Sequence, residues 1–181
     1  MSFLILAWDI TIFYWFNDLA GVSRIFDAFI IFSADYLWFL LVVILAVLLY
    51  FSSYAKKEKI RIFGVALVSA AVARLAVTEI IRLFYHRPRP FTELQVNQLV
   101  SDNAWSFPSG HSTFLFAMAA AIYLYNKKWG IWFFAGSVLV AVSRVIGGVH
   151  YPSDILGGAA IGLLVAYVVF HFAKRKTQRS Y

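Results

Sequence analysis

Residues 152–173 read PSDILGGAAIGLLVAYVVFHFA, and Lys174, Arg175 and Lys176 follow directly. From residue 155 to 173 the stretch carries no charged side chain, and about 20 consecutive apolar residues suffice to cross a bilayer. Proline at a helix start is favoured, because its missing N–H is not needed there. A basic cluster after an apolar helix marks the cytoplasmic side of a membrane. This single stretch therefore predicts a helical membrane protein and orients it.

The same pattern recurs upstream. Residues 36–51, 60–84, 109–125 and 129–146 are also apolar runs, so five strong spans are expected. Ahead of them, residues 3–16 are apolar but short and contain Asp9, and residues 25–32 are apolar between Arg24 and Ser33. The first 34 residues read as one short N-terminal span plus an amphipathic stretch at the interface, or alternatively as a helix lying wholly in the interface. The expected fold is all-α, a polytopic transmembrane bundle of six helices forming one domain over residues 1–181. Composition agrees: the chain has 181 residues, 62% hydrophobic and only 14% charged, too apolar for an ordinary soluble surface. It has no cysteine, which excludes disulfides, a thiolate nucleophile and thiolate zinc sites. The start of the chain lacks a charged n-region and a small-residue cleavage site, so no removable signal peptide is expected.

The net charge of +7 could suggest nucleic acid, but that requires a basic face on a soluble fold. Here the charge lies in short runs between apolar segments. Lys56, Lys57, Lys59, Arg61, Lys127, Lys128, Lys174, Arg175, Lys176 and Arg179 all fall on one side of the expected bundle. By the positive-inside rule that side is cytoplasmic. The loops 85–108 and 149–154 fall on the other, extracytoplasmic side.

Those loops hold three polar stretches. The third is Ser143-Arg144, five residues, His150, three residues, Asp154. A histidine can attack phosphorus when a carboxylate fixes its tautomer by accepting the other ring N–H. Asp154, one turn on, can do so; a polar loop with a capping Asp is the plainer alternative. Arg144, at the edge of the apolar region, favours function, because an ionisable group there is costly. The second stretch, Pro108-Ser109-Gly110-His111, opens a span. A helix N-terminus seats anions, Gly110 admits close approach, Ser109 can cap and donate, and His111 can act as general acid. On its own it would read as an ordinary helix start. The first, from Arg82 to Arg87-Pro88-Arg89-Pro90, ends a span, and its prolines stiffen the chain so that a guanidinium can be pre-positioned for phosphate. Arg87 and His86 read instead as interfacial anchors that snorkel to headgroups, as does His171 near the basic side. Arg74, Thr78 and Arg82 follow at four-residue steps on one helix face, and Glu79 either neutralises one of these arginines or makes a packed interhelical ion pair.

Together the three stretches resemble the type 2 phosphatidic acid phosphatase superfamily, whose pattern is Lys-x6-Arg-Pro, Pro-Ser-Gly-His and Ser-Arg-x5-His-x3-Asp. The second and third match fully; in the first, Arg89-Pro90 match and Arg82 stands at the lysine position. The resemblance implies a metal-independent lipid phosphatase without a cofactor. In it His150 is the nucleophile forming a phosphohistidine, Asp154 orients it, His111 protonates the leaving group, and Arg82, Arg89, Ser109, Gly110 and Arg144 hold the phosphate. The compact size and the Arg-Pro-Arg-Pro-Phe91 run are most similar to undecaprenyl-diphosphate phosphatases of the bacitracin-resistance type. That implies a bacterial inner membrane, with the lipid phosphate and the bilayer as partners. Phosphatidylglycerophosphate, phosphatidic acid and lipid A phosphatases stand next within the class. A non-catalytic lipid-binding or transport protein is the alternative outside it, with Arg74 lining a transport path; it would have no need of His111, His150 and Asp154 together.

Overall fold

The computed structural model describes residues 7–178, with side chains through residue 175. Among the expectations, Arg179, the side chain of Lys176 and residues 1–6 lie outside the described part. Every regular element among the described residues is helical: α1 Ala7–Asn17, α2 Arg24–Asp35, α3 Leu37–Phe51, α4 Lys56–Ala71, a π turn Val72–Val77, α5 Thr78–Phe84, the short α6 Pro90–Glu93, α7 Gly110–Tyr125, α8 Lys127–Ile146 and α9 Pro152–Gln178. The segments α4, π turn and α5 form one rod, Lys56–Phe84.

Among the described residues, three helices are long and apolar enough to cross a membrane alone: this rod, α8 and α9 through Arg175. A fourth crossing arises if α2 and α3, bent by 60° at Tyr36, are taken as one broken span. α7 has 16 residues and α3 has 15, short of a full crossing by length. The described residues of α1 rise only about 16 Å at 1.5 Å per residue. The helical bundle is as expected, while its spans are fewer on length alone. The outer faces carry apolar side chains in quantity, with Phe84 83% and Phe51 81% exposed, a surface suited to lipid and not to water.

α7 is the buried axis. Leu115, Ala117, Met118, Ala119, Ala121 and Ile122 are all inaccessible there. Its small side chains face Gly158 and Gly162 of α9. A Cβ at Gly158 would fall 2.8 Å from the Ser109 carbonyl oxygen, and one at Gly162 would fall 2.7 Å from that of Thr113. Two glycines four residues apart thus let the backbones of α7 and α9 touch, the small-residue packing common in membranes. The contact ties the start of α7, which holds the second polar stretch, to the start of α9, where the third ends.

α8 ends in a Schellman turn. The Val149 N–H donates to the Arg144 carbonyl at 3.2 Å and the Gly148 N–H to that of Val145 at 3.0 Å. Gly148 takes φ +83, in the left-handed region that favours glycine. This turn reverses the chain and delivers His150 to the same end of the bundle as Ser109. The first basic cluster, at the start of α4, lies at the other end, where Arg61 stands over the Tyr125 ring.

Candidate active site

His150 is 1% exposed and lies between two groups of opposite charge. Its Nε2 faces Arg89 Nη1 at 3.3 Å, and its Nδ1 faces Asp154 Oδ2 at 3.4 Å. That approach falls short of hydrogen-bonding geometry, and Nδ1 has no hydrogen-bond partner among the described residues, so the ring sits loosely beside the carboxylate. Burial, with Arg89 and Arg144 close by, holds the His150 pKa well below the usual 6.5. The imidazole is therefore neutral near pH 7, the form in which one ring nitrogen keeps a lone pair.

Asp154, in the first turn of α9, is completely buried. Its Oδ2 accepts from Ser106 Oγ at 2.6 Å and the Tyr151 N–H at 2.9 Å, and its Oδ1 accepts from Arg87 Nη1 at 2.6 Å. Arg87 also pairs with Asp9 of α1 at 2.6 Å, and its guanidinium lies 4.2 Å from the Tyr151 ring centroid. Asp9 in turn accepts from the N–H and hydroxyl of Ser153. Arg87, read from sequence as a headgroup anchor, is thus 5% exposed and belongs to the support behind the histidine. Its neighbour His86 does lie at the surface, its ring 4.8 Å from that of Trp105.

The arginines cluster as the three stretches suggested. Arg89 donates to the carbonyls of Ala104 and Val149 and pairs with Asp102 at 2.8 Å. Arg144, 2% exposed in the last turn of α8, pairs with Asp102 at 2.7 Å and with Asp35 at 3.2 Å. Asp102 therefore bridges the two guanidiniums as an internal anion. Burial opposes its charge, but Arg89 and Arg144 hold its pKa below the usual carboxylate range. Burial, with Arg144 and Arg82 adjacent, lowers the Arg89 pKa to about 10, which leaves it charged at neutral pH. Arg82, 6% exposed at the end of α5, donates to the Pro108 carbonyl at 3.0 Å. Among the described residues the Nε–H groups of Arg82 and Arg144 are buried without an acceptor, a costly condition for charged donors unless an anion joins them.

Ser109 caps α7, accepting from the Ser112 N–H, and its own N–H donates to the Asp154 carbonyl at 3.1 Å. Gly110 begins the helix with Arg74 laid against it: a Cβ there would be 2.9 Å from Arg74 Cδ. His111 follows, half-buried, its ring edge-on to Trp38 at 6.2 Å. All eight residues singled out from the sequence thus lie at one end of the bundle. The sequence reading gave no role to Asp9, Asp35, Asp102 or Ser106. Of these, only Asp9 was conspicuous there, as a charge inside an apolar run.

A buried neutral histidine beside a carboxylate, with guanidiniums and a helix N-terminus nearby, is an arrangement suited to phosphoryl transfer on a membrane bundle. The sequence model of the PAP2 superfamily matches residues 62–178, and the chain belongs to that family; it is a membrane phosphatase acting on phosphate esters. Among relatives, it is 31% identical to the bacitracin transport permease protein BcrC of Bacillus licheniformis, over 92% of this chain and 81% of that one. It is 28% identical to undecaprenyl-diphosphatase BcrC of Bacillus subtilis (strain 168), over 87% and 82%. The crystal structure of Aquifex aeolicus LpxE superposes with a TM-score of 0.74 at 26% identity, covering 94% of this chain and 99% of that one.

Proposed function

We propose that the protein removes the terminal phosphate of a lipid diphosphate, converting undecaprenyl diphosphate to undecaprenyl phosphate through a phosphohistidine on His150. The observation that carries this reading is the His150 ring between Arg89 and Asp154. Asp154 accepts the Nδ1 proton, which leaves the lone pair on Nε2 facing the phosphate seat. Nε2 bonds to the terminal phosphorus as the bond from that phosphorus to the leaving oxygen breaks. Arg82, Arg89, Arg144, Ser109 and the Gly110 N–H hold the phosphoryl oxygens, and His111 supplies a proton to the leaving oxygen. Water then cleaves the N–P bond and inorganic phosphate departs. No step calls on a metal. A relative named as an undecaprenyl-diphosphatase, and the apolar outer faces of the bundle, support the choice of lipid. Five crossings in a bacterial inner membrane, with the site facing out of the cytoplasm, fit the distribution of lysine and arginine.

Purified protein in detergent and EDTA should release phosphate from undecaprenyl diphosphate, and His150→Ala should not. An acid-labile, alkali-stable phosphoryl group should be trapped on protein whose His111 is replaced by Asn, and should vanish when His150 is also replaced. Phosphate release by His150→Ala at the wild-type rate would remove His150 as nucleophile.

A further inference from the structure

One cation near the site has no place in the scheme so far. Arg74 lies in the π turn between α4 and α5. There the Thr78 N–H and hydroxyl both turn to the carbonyl of Ala73, five residues back, the hydroxyl at 3.0 Å. The extra residue in a π turn brings positions i and i+5 into line. Arg74 and Glu79 accordingly form an ion pair that a regular α-helix would not align. The same Glu79 oxygen also reaches Arg82 Nη1 at 3.4 Å. One carboxylate therefore links an arginine of the phosphate seat to a second arginine beside it, holding the two cations at the spacing of a single bridging anion.

The Arg74 side chain also lines a cavity of about 280 Å³, with Trp38, Leu75, Gly110, His111 and Phe114 on its walls. Apart from Arg74 and His111 these walls are apolar, and Leu75 is 69% exposed on the outer surface of the bundle. The cavity thus joins the general-acid side of the site to a surface that lipid can reach.

Chemistry separates the two leaving groups such a site could meet. A lipid alcohol leaves as a strongly basic alkoxide and depends on a proton from His111. A lipid monophosphate leaves as a weakly basic anion, with a second pKa of about 6. It needs its growing negative charge met by a cation more than it needs a proton. We propose that Arg74 binds the lipid-attached phosphate of a diphosphate substrate, stabilises it as leaving group, and so sets a preference for diphosphates over monophosphates. The inference rests on the phosphatase reading above. In this step the bridging oxygen keeps the electron pair of the broken P–O bond and becomes an oxygen of the lipid monophosphate. Arg74 stabilises that charge without itself losing a proton.

The test compares kcat/KM for farnesyl diphosphate and farnesyl monophosphate in wild type, Arg74→Gln, Arg74→Lys and His111→Asn. Arg74→Gln should lower the diphosphate-to-monophosphate ratio about ten- to a hundredfold, as expected for loss of one charge-assisted contact. Arg74→Lys should keep most of the ratio, and His111→Asn should move it the other way. Because a ratio is insensitive to the fraction of active protein, partial misfolding cannot imitate this result. A ratio unmoved in Arg74→Gln, whether both activities fall together or both persist, overturns the proposal. A wild type that cleaves only the monophosphate overturns it too, together with the diphosphate substrate proposed above, while leaving the phosphatase class intact. Release from neither substrate would defeat that reading itself.

Discussion

At the scale of single residues, the site concentrates positive charge around a neutral histidine. Burial and the neighbouring guanidiniums of Arg89 and Arg144 depress the His150 pKa below 6.5. His150, the proposed nucleophile, should accordingly stay unprotonated, and the acid limb of the kcat/KM profile should lie below pH 6.5. Removing a nearby positive charge makes the protonated ring less unfavourable, so Arg144→Gln should raise the His150 pKa. Its acid limb should move to higher pH, together with a loss of activity; a limb that stays put would show that Arg144 does not act on the histidine electrostatically. His111, His150, Asp154 and the three arginines were legible in the sequence because their spacing lies within short stretches. Arg87 was not. Its burial depends on Asp9, 78 residues away in sequence, and no local pattern distinguishes a guanidinium bound for lipid headgroups from one bound for a distant carboxylate. Asp35 and Asp102 escaped for the same reason, since Arg144 meets them only through the tertiary fold.

At the scale of elements, the chain reversals aim the chemistry. The Schellman turn at the end of α8 depends on Gly148, whose φ of +83 penalises any side chain. A Cβ there would also come within 3.3 Å of the Asn97 carbonyl oxygen. Gly148→Ala should therefore cost about 1–2 kcal/mol. It should lower Tm in detergent by several degrees and depress kcat more than KM, because His150 sits two residues further on. Thermal unfolding measured beside steady-state kinetics checks both. The apolar runs announced the longer helices to within a few residues, since length and hydropathy are local properties. The π turn went unforeseen: the expected four-residue step from Arg74 to Thr78 to Arg82 assumes regular helix, and it is the extra residue that sets Arg74 against Glu79. The 60° bend at Tyr36 was equally invisible, because both sides of it are helical and apolar.

At the scale of the whole molecule, the bundle has a polar end and a basic end. The lack of cysteine makes this easy to test. A single cysteine at Asn103 should react with a membrane-impermeant thiol reagent in intact cells, and one at Lys128 should react only after lysis. The opposite pattern would invert the proposed orientation. The polar end has one more consequence, and it concerns the product. Tight holding of free phosphate would be no help, because an interaction equal in ground and transition states does not raise kcat. Asp102 already spans Arg89 and Arg144. In the proposed mechanism Asp102, tethered to the same chain, would compete at a high effective concentration for the guanidiniums that a departing phosphate vacates. Turnover should then be inhibited only weakly by the phosphate it releases, so that the protein keeps working in surroundings rich in that ion.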